Sequence, residues 1–214
     1  MTVAVVSAIF GGYDKPSPPL PQSEDCSFTL VTDRPGKVFG WDVVVEHSDE
    51  HPRMASKWPK LRPWEYAPLD AHTWVWIDGA FQIRSETFVA EAVAASDAPV
   101  SMWAHPWRDC LYDEAEASVP LAKYATTPVL EQAEHYRAQG FPEHAGLWAA
   151  GLIVYRKRCT ELADAWQAEM ERWGYQDQIS LPVALASTQT PITALPYGLH
   201  QGPWLLWRPH RSHL

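Results

Sequence analysis

Trp74-Val75-Trp76-Ile77-Asp78-Gly79 is a run of bulky and β-branched apolar residues that stops abruptly at a carboxylate and a glycine. Such a run reads as a strand buried on both faces, as strands are in a sheet covered by helices. In open α/β sheets the ligand crevice lies beyond the carboxyl ends of the strands. Asp78 stands at that end, which makes it the first candidate site residue. Val3 to Phe10 repeats the pattern near the start of the chain and ends in Gly11-Gly12-Tyr13-Asp14, a strand feeding a turn.

Working outward, further short strands are expected at Ser27 to Thr32, Trp41 to Val45, Val100 to Ala104, Leu152 to Tyr155 and Ile192 to Leu195. Helical patterns lie between them. Ser85 is a candidate N-cap for a helix carrying Phe88, Val89, Ala92 and Val93 on one face. Thr127-Pro128 opens a second, which runs to about Gly140. Leu162, Trp166, Met170 and Trp173 form an apolar stripe that stops before Gly174. A last helix begins near Asp177, because Pro182 is tolerated early in a helix and not late. Strands alternating with helices predict an α/β sheet covered by helices. The Pro16-to-Pro21 stretch and residues 47 to 69 read as long loops.

The 214 residues suit a single domain spanning 1–214. No basic flank with a cleavage pattern and no membrane-length apolar run is present, so an intracellular, cytoplasmic protein without a membrane span is expected. Three widely spaced cysteines, Cys26, Cys110 and Cys159, with no C-x-x-C pair, indicate neither a disulfide framework nor a zinc knuckle. A net charge of -9 argues against a general polyanion binder, though not against a local basic pocket. Twelve tryptophans are an unusual number; most are expected in the core, with exposed faces suited to stacking on sugars or bases.

Four clusters carry chemistry. The glycine turn Ala8-Ile9-Phe10-Gly11-Gly12-Tyr13-Asp14 lets backbone approach a nucleotide, yet it matches neither the dinucleotide fingerprint nor the P-loop and reads equally as an ordinary turn. Lys57, Lys60 and Arg62 offer cations for a diphosphate, although charge alone favours a solvated basic loop. Asp78 would hold a divalent cation bridging phosphate oxygens, or simply cap a turn. In the segment from His105 to Glu114, Arg108 suits a forked contact to phosphate with Glu114 holding it, or a structural ion pair. Asp177 and Gln178, at a helix start, suit a general base and a hydroxyl ligand, or a cap. H-E-x-x-H, G-x-S-x-G and P-loop motifs are absent.

Taken in order, these pieces resemble the glycosyltransferase-like family typified by plant mucilage and turgor-regulation proteins. The residues that carry the resemblance run from Ala8 to about Ala186. They are Ala8 to Asp14, Thr32-Asp33, Ser56-Lys57 with Lys60, Trp76-Ile77-Asp78-Gly79, His105-Pro106, Arg108-Asp109-Cys110, Tyr112, Glu114-Ala115, Tyr136, Gly140, Pro142, Gly146-Leu147 and Asp177-Gln178 with Ser180. The resemblance implies a single GT-A-type domain with a Rossmann-like, mixed but mostly parallel sheet flanked by helices. It also implies a UDP-sugar donor, commonly with Mn2+ or Mg2+. On that pattern Ala8, Phe10, Gly11, Gly12 and Asp33 face the nucleoside, Lys57 the diphosphate, and Asp78 the metal or diphosphate. Asp177 and Gln178 face the transferred sugar or the acceptor. His200-Gln201-Gly202-Pro203-Trp204 is loosely similar to the tail of glycogenin-like enzymes, which implies that the tail from about 199 folds over the donor site and that His200 completes the metal site. Trp76 departs from the pattern, standing where many GT-A enzymes carry the first aspartate of D-x-D.

The leading expectation is therefore a nucleotide-sugar glycosyltransferase whose acceptor is unidentified, with a saccharide or small molecule favoured. Two alternatives stand beside it. One is a non-catalytic carbohydrate- or nucleotide-binding module. The other is transfer to a modified base in nucleic acid, served by the basic tail from Arg208 to His213 and disfavoured by the acidic charge.

Overall fold

The computed structural model describes residues 2–208. In chain order the first half gives Val3–Ile9 (β1), Cys26–Thr32 (β2), Asp42–Val45 (β3), Pro52–Ala55 (α1), Lys57–Leu61 (α2), Thr73–Ile77 (β4), Phe81–Ile83 (β5), Phe88–Ala94 (α3) and Val100–Ala104 (β6). The second half gives Leu111–Ser118 (α4), Val129–Ala138 (α5), Trp148–Tyr155 (β7), Thr160–Trp173 (α6), Asp177–Thr188 (α7), Ile192–Ala194 (β8) and Leu205–Trp207 (β9). No described helix is long and apolar enough to cross a membrane.

Seven strands form one mixed sheet in the order β3-β2-β1-β4-β7-β6-β8, and β5 pairs with β9 in a separate ribbon. β1 is parallel to both β2 and β4, β2 to β3 and β6 to β8, whereas β7 runs antiparallel to β4 and β6. This is the helix-covered α/β sheet that the alternation of elements predicts, in the Rossmann-like, mostly parallel form that the family resemblance implies. The chain builds outward from β1 through β2 to β3, then crosses to the opposite side of β1 for β4, so the strand order reverses between β1 and β4. That reversal opens the crevice at their carboxyl ends. Because β7 is antiparallel, its first residues lie at the same end, and the Asp78 amide donates to Gly151 O at 2.9 Å.

The apolar runs are explained by burial on both faces of the sheet. Ala4, Val6, Trp74 and Trp76 pack on one side with Trp166 and Met170 of α6 and Leu181 of α7. Val3, Val5, Val75 and Ile77 pack on the other with Phe88 and Val89 of α3 and with Trp204. A third cluster joins α4, α5 and Ile179 of α7. The cysteines are unpaired, and burial lifts the Cys26 and Cys159 thiols to about 11, which keeps them unreactive.

Several expectations are corrected. Residues 47 to 69 are not a loop: they hold α1, α2 and one 3-10 turn, with Pro52 opening α1. The polar segment after β6 leads into α4, and β7 begins four residues earlier than its apolar signal. The helix expected from Ser85 begins at Phe88, with Thr87 at the cap position. Gly79 marks a close approach of two strand ends. A Cβ there would sit 2.5 Å from Ile9 Cγ1 and 3.2 Å from Ala8 O. Gly79→Ala is therefore expected to cost about 1–3 kcal/mol through overpacking; an unchanged denaturant midpoint would contradict this.

Candidate functional site

A cavity of about 270 Å3 occupies the crevice, lined by Ala8 to Phe10 from β1, Trp76 and Asp78 from β4, and Ala149 to Gly151 from β7. The start of α7 adds Asp177 and Gln178, and β9 adds Trp207.

The two lysines of α2 dominate the floor. Lys57 and Lys60 are three residues apart, which places them on one helical face. Lys57 Nζ lies 2.8 Å and Lys60 Nζ 2.7 Å from the same oxygen, Asp177 Oδ2. Lys60 Nζ is also 3.4 Å from Asp78 Oδ1. Lys60 is only 2 % exposed, so the reading of this stretch as a solvated basic loop is overturned. The arrangement is held from behind: the Tyr155 hydroxyl donates to Lys60 O at 3.0 Å, and the Trp166 indole donates to Asp177 O at 3.1 Å.

Burial works against charge on all three groups, and their pairing decides the outcome. The Asp177 carboxyl resists burial and is held well below the usual carboxylate range by Lys57 and Lys60. Burial lowers Lys60 less than Asp177 and Asp78 lift it, so it ends above its ordinary value. For Lys57, burial prevails and the ammonium is pushed down. Asp177 also sits in the first turn of α7, where the helix dipole favours a negative charge.

Gly11 and Gly12 both take φ of 63°, the left-handed region open to glycine. Neither lines the cavity. Instead the Gly11 amide donates to Asp33 Oδ2 at 2.8 Å, and a Cβ on Gly12 would strike the Arg34 guanidinium at 2.1 Å. Asp33 thus ties the turn to the end of β2, while its Oδ1 is buried with no hydrogen-bond partner. Gln178 lines the cavity and donates to Trp148 O at 3.3 Å.

Arg108 is not brought to the cavity wall. Its Nε bonds Glu114 Oε2 at 2.6 Å, 3.6 Å from His105 Nε2, in the structural ion pair that was its other reading. Burial lowers the His105 imidazole. Gln176 completes this buried group by donating to Glu114 and to Ser118 Oγ.

The residues expected to hold a metal were tested against their surroundings. Asp78 Oδ1 accepts the Trp76 indole N–H at 2.8 Å and has the Lys60 ammonium beside it. His200 does not line the cavity; it is exposed, with its ring 5.9 Å from that of Trp107 and 5.8 Å from that of Trp207. Hard cations require several oxygen ligands, and here Asp177 is taken by two lysines while Asp78 is shared with an indole and an ammonium. The two expected ligands, Asp78 and His200, are therefore not brought together as a donor set for Mn2+ or Mg2+. Among the described residues the one group of three potential ligands is Cys110, Asp113 and His144, none of which lines the cavity.

The sequence reading missed Arg53 and Lys123 and gave no role to Tyr175, which stands in the cluster around Asp177; the three line the cavity from α1, from a 3-10 turn after α4, and from the loop before α7. Only their general proximity to clusters already singled out pointed toward them. The basic tail beyond Arg208 lies outside the described residues.

A family model for the TOD1/MUCI70 glycosyltransferase-like domain matches residues 27–193, from β2 to β8. No curated protein matches the chain.

Proposed function

The chain belongs to the TOD1/MUCI70 glycosyltransferase-like family, and from that premise we propose that it transfers a sugar from a nucleotide-sugar donor, a UDP-sugar, to a saccharide or small-molecule acceptor. One observation carries this reading: an acidic chain of net charge -9 concentrates lysines on the floor of a cavity at the β1/β4 reversal. In such transfer the bond from sugar C1 to the diphosphate oxygen breaks, and its electron pair stays with the diphosphate. The acceptor hydroxyl oxygen forms the new bond to C1, and its proton passes to the departing diphosphate oxygen or to solvent. Lys57 and Lys60 meet the charge that grows on the diphosphate, the main electrostatic demand of the step.

Asp177 serves here as the positioning residue for the two lysines. A carboxylate held so far below its usual range is a poor proton acceptor near neutral pH. Gln178, on the same helix turn, offers an amide oxygen to a sugar hydroxyl. Asp33, expected at the nucleoside, does not line the cavity; it fixes the glycine turn behind the wall through its bond from the Gly11 amide.

The test is release of nucleotide from a panel of UDP-sugars by the purified protein. Turnover is expected, and Lys57→Met is expected to lower it by about 10²-fold or more with the melting curve retained. Binding without turnover across donors and acceptors would favour the non-catalytic module instead. Strong, steeply salt-dependent DNA binding would favour transfer to a nucleic-acid base.

A further inference from the structure

The cavity wall carries more cations than the lysine pair. Arg53 and Lys123 line it as well, from segments seventy residues apart in the chain. The Arg53 guanidinium lies 4.3 Å from the centre of the Tyr13 ring and bonds its hydroxyl. The Lys123 ammonium lies 4.6 Å from the centre of the Tyr124 ring. None of the ion pairs among the described residues involves either cation. The turn bearing Lys123 is tied to the loop before α7, because the Tyr175 hydroxyl donates to Lys123 O at 2.6 Å.

We propose that Arg53, Lys57, Lys60 and Lys123 form a four-cation cradle that takes the donor's diphosphate directly, in the place of a divalent metal ion. This rests on the nucleotide-sugar reading and adds to it the means of holding the leaving group.

Three observations converge on the cradle. The first is charge: four cations, Arg53, Lys57, Lys60 and Lys123, face three carboxylates, Asp14, Asp78 and Asp177, leaving an excess of one positive charge on the wall of an acidic protein. The second is the chemistry around Asp78. Trp76, where a first aspartate would stand, supplies an indole donor to Asp78, and Lys60 supplies an ammonium, so a dication there would be set against a positive charge already in place. The third is the mutual repulsion of the two remaining cations. Arg53 and Lys123 line the same cavity from α1 and from the turn after α4, and neither is in an ion pair with a carboxylate among the described residues. Two like charges facing the same space are relieved by an anion between them, and a diphosphate brings the required charge with oxygens on several sides. Asp177 and Asp78 keep the lysines in position before the ligand arrives.

The test is calorimetric titration of UDP, with ADP, GDP, CDP and dTDP in parallel, into the wild type in excess EDTA and again with saturating Mn2+. The expected result is binding of at least one diphosphate in EDTA, with dissociation constants in the two conditions within roughly threefold of each other. Arg53→Gln/Lys123→Gln is expected to weaken that diphosphate by about tenfold or more and to leave the matching nucleoside, which has no phosphate, unchanged. If melting curves show that the double variant is unfolded, Lys123→Gln alone replaces it. Binding that appears only with Mn2+ would overturn the cradle and leave the donor reading standing. Metal-free binding unaffected by the substitutions would remove Arg53 and Lys123 from it. Absence of binding for every diphosphate in both conditions would overturn the cradle and the donor reading together.

Discussion

Asp177→Asn is expected to destabilise the fold by about 3–5 kcal/mol near neutral pH, the usual cost of leaving buried charge without its partner. Two ammonium groups converge on one oxygen of this carboxylate, at 2.8 and 2.7 Å, and Lys60 is almost wholly enclosed. For a chain of this size the melting temperature should fall by roughly 10 °C. The pH dependence identifies the cause. A carboxyl whose folded pKa is depressed contributes stability above its unfolded value, near 4, and loses that contribution as pH falls through the folded value. Wild type and variant should therefore differ most near neutrality and converge in acid. Lys57, whose ammonium burial already pushes down, is the group that most readily sheds its proton in the variant, so part of the loss should be recovered as the pH rises. Equal melting temperatures at pH 7 would show that the network does not couple to folding.

Trp166→Ala should have a comparable effect by a different route. Trp166 is fully enclosed between the sheet and α7, and its indole N–H bonds the carbonyl of Asp177 at 3.1 Å. Removing the ring should cost about 3–5 kcal/mol from lost burial and the cavity left behind. Trp166→Phe retains most of the apolar contact but lacks the donor, and should cost about 1–2 kcal/mol. Denaturant midpoints of the two variants separate packing from hydrogen bonding. If Phe costs as much as Ala, the bond to α7 outweighs the core.

The sheet was legible where both faces are buried. Val3 to Phe10 and Thr73 to Ile77 carry enough β-branched and aromatic residues to identify themselves, and the carboxyl-end rule then points to Asp78. β7 was only half visible. Trp148-Ala149-Ala150-Gly151 has weak strand preference, and its small residues answer a packing need: a Cβ on Gly151 would lie 2.8 Å from Phe81 and 3.4 Å from Asp78 Oδ2. The three-residue strands β5 and β9 carry no readable period. α4 was hidden because its inward face mixes Leu111, Tyr112 and Ala115 with Glu114 and Ser118, whose partners come from elsewhere.

Site residues divided in the same way. Lys57, Lys60, Asp78, Asp177 and Gln178 stood out by type and order, and the structure gathers all five at one cavity. What pattern could not supply was pairing. Lys60 is buried because Asp177, 117 residues away, neutralises it. Arg108 could not be assigned to phosphate or to Glu114 until their relative positions were known.

The margins of the large sheet bear on solution behaviour. β3 has four residues and β8 three, so the two free edges present few unpaired N–H and C=O groups, while the long apolar strands β1, β4 and β7 lie inside. Short edges are poor templates for strand addition. The sequences most prone to self-associate as extended chains are thus shielded from neighbouring molecules for as long as the sheet stays closed, and aggregation of this protein should follow unfolding, not precede it.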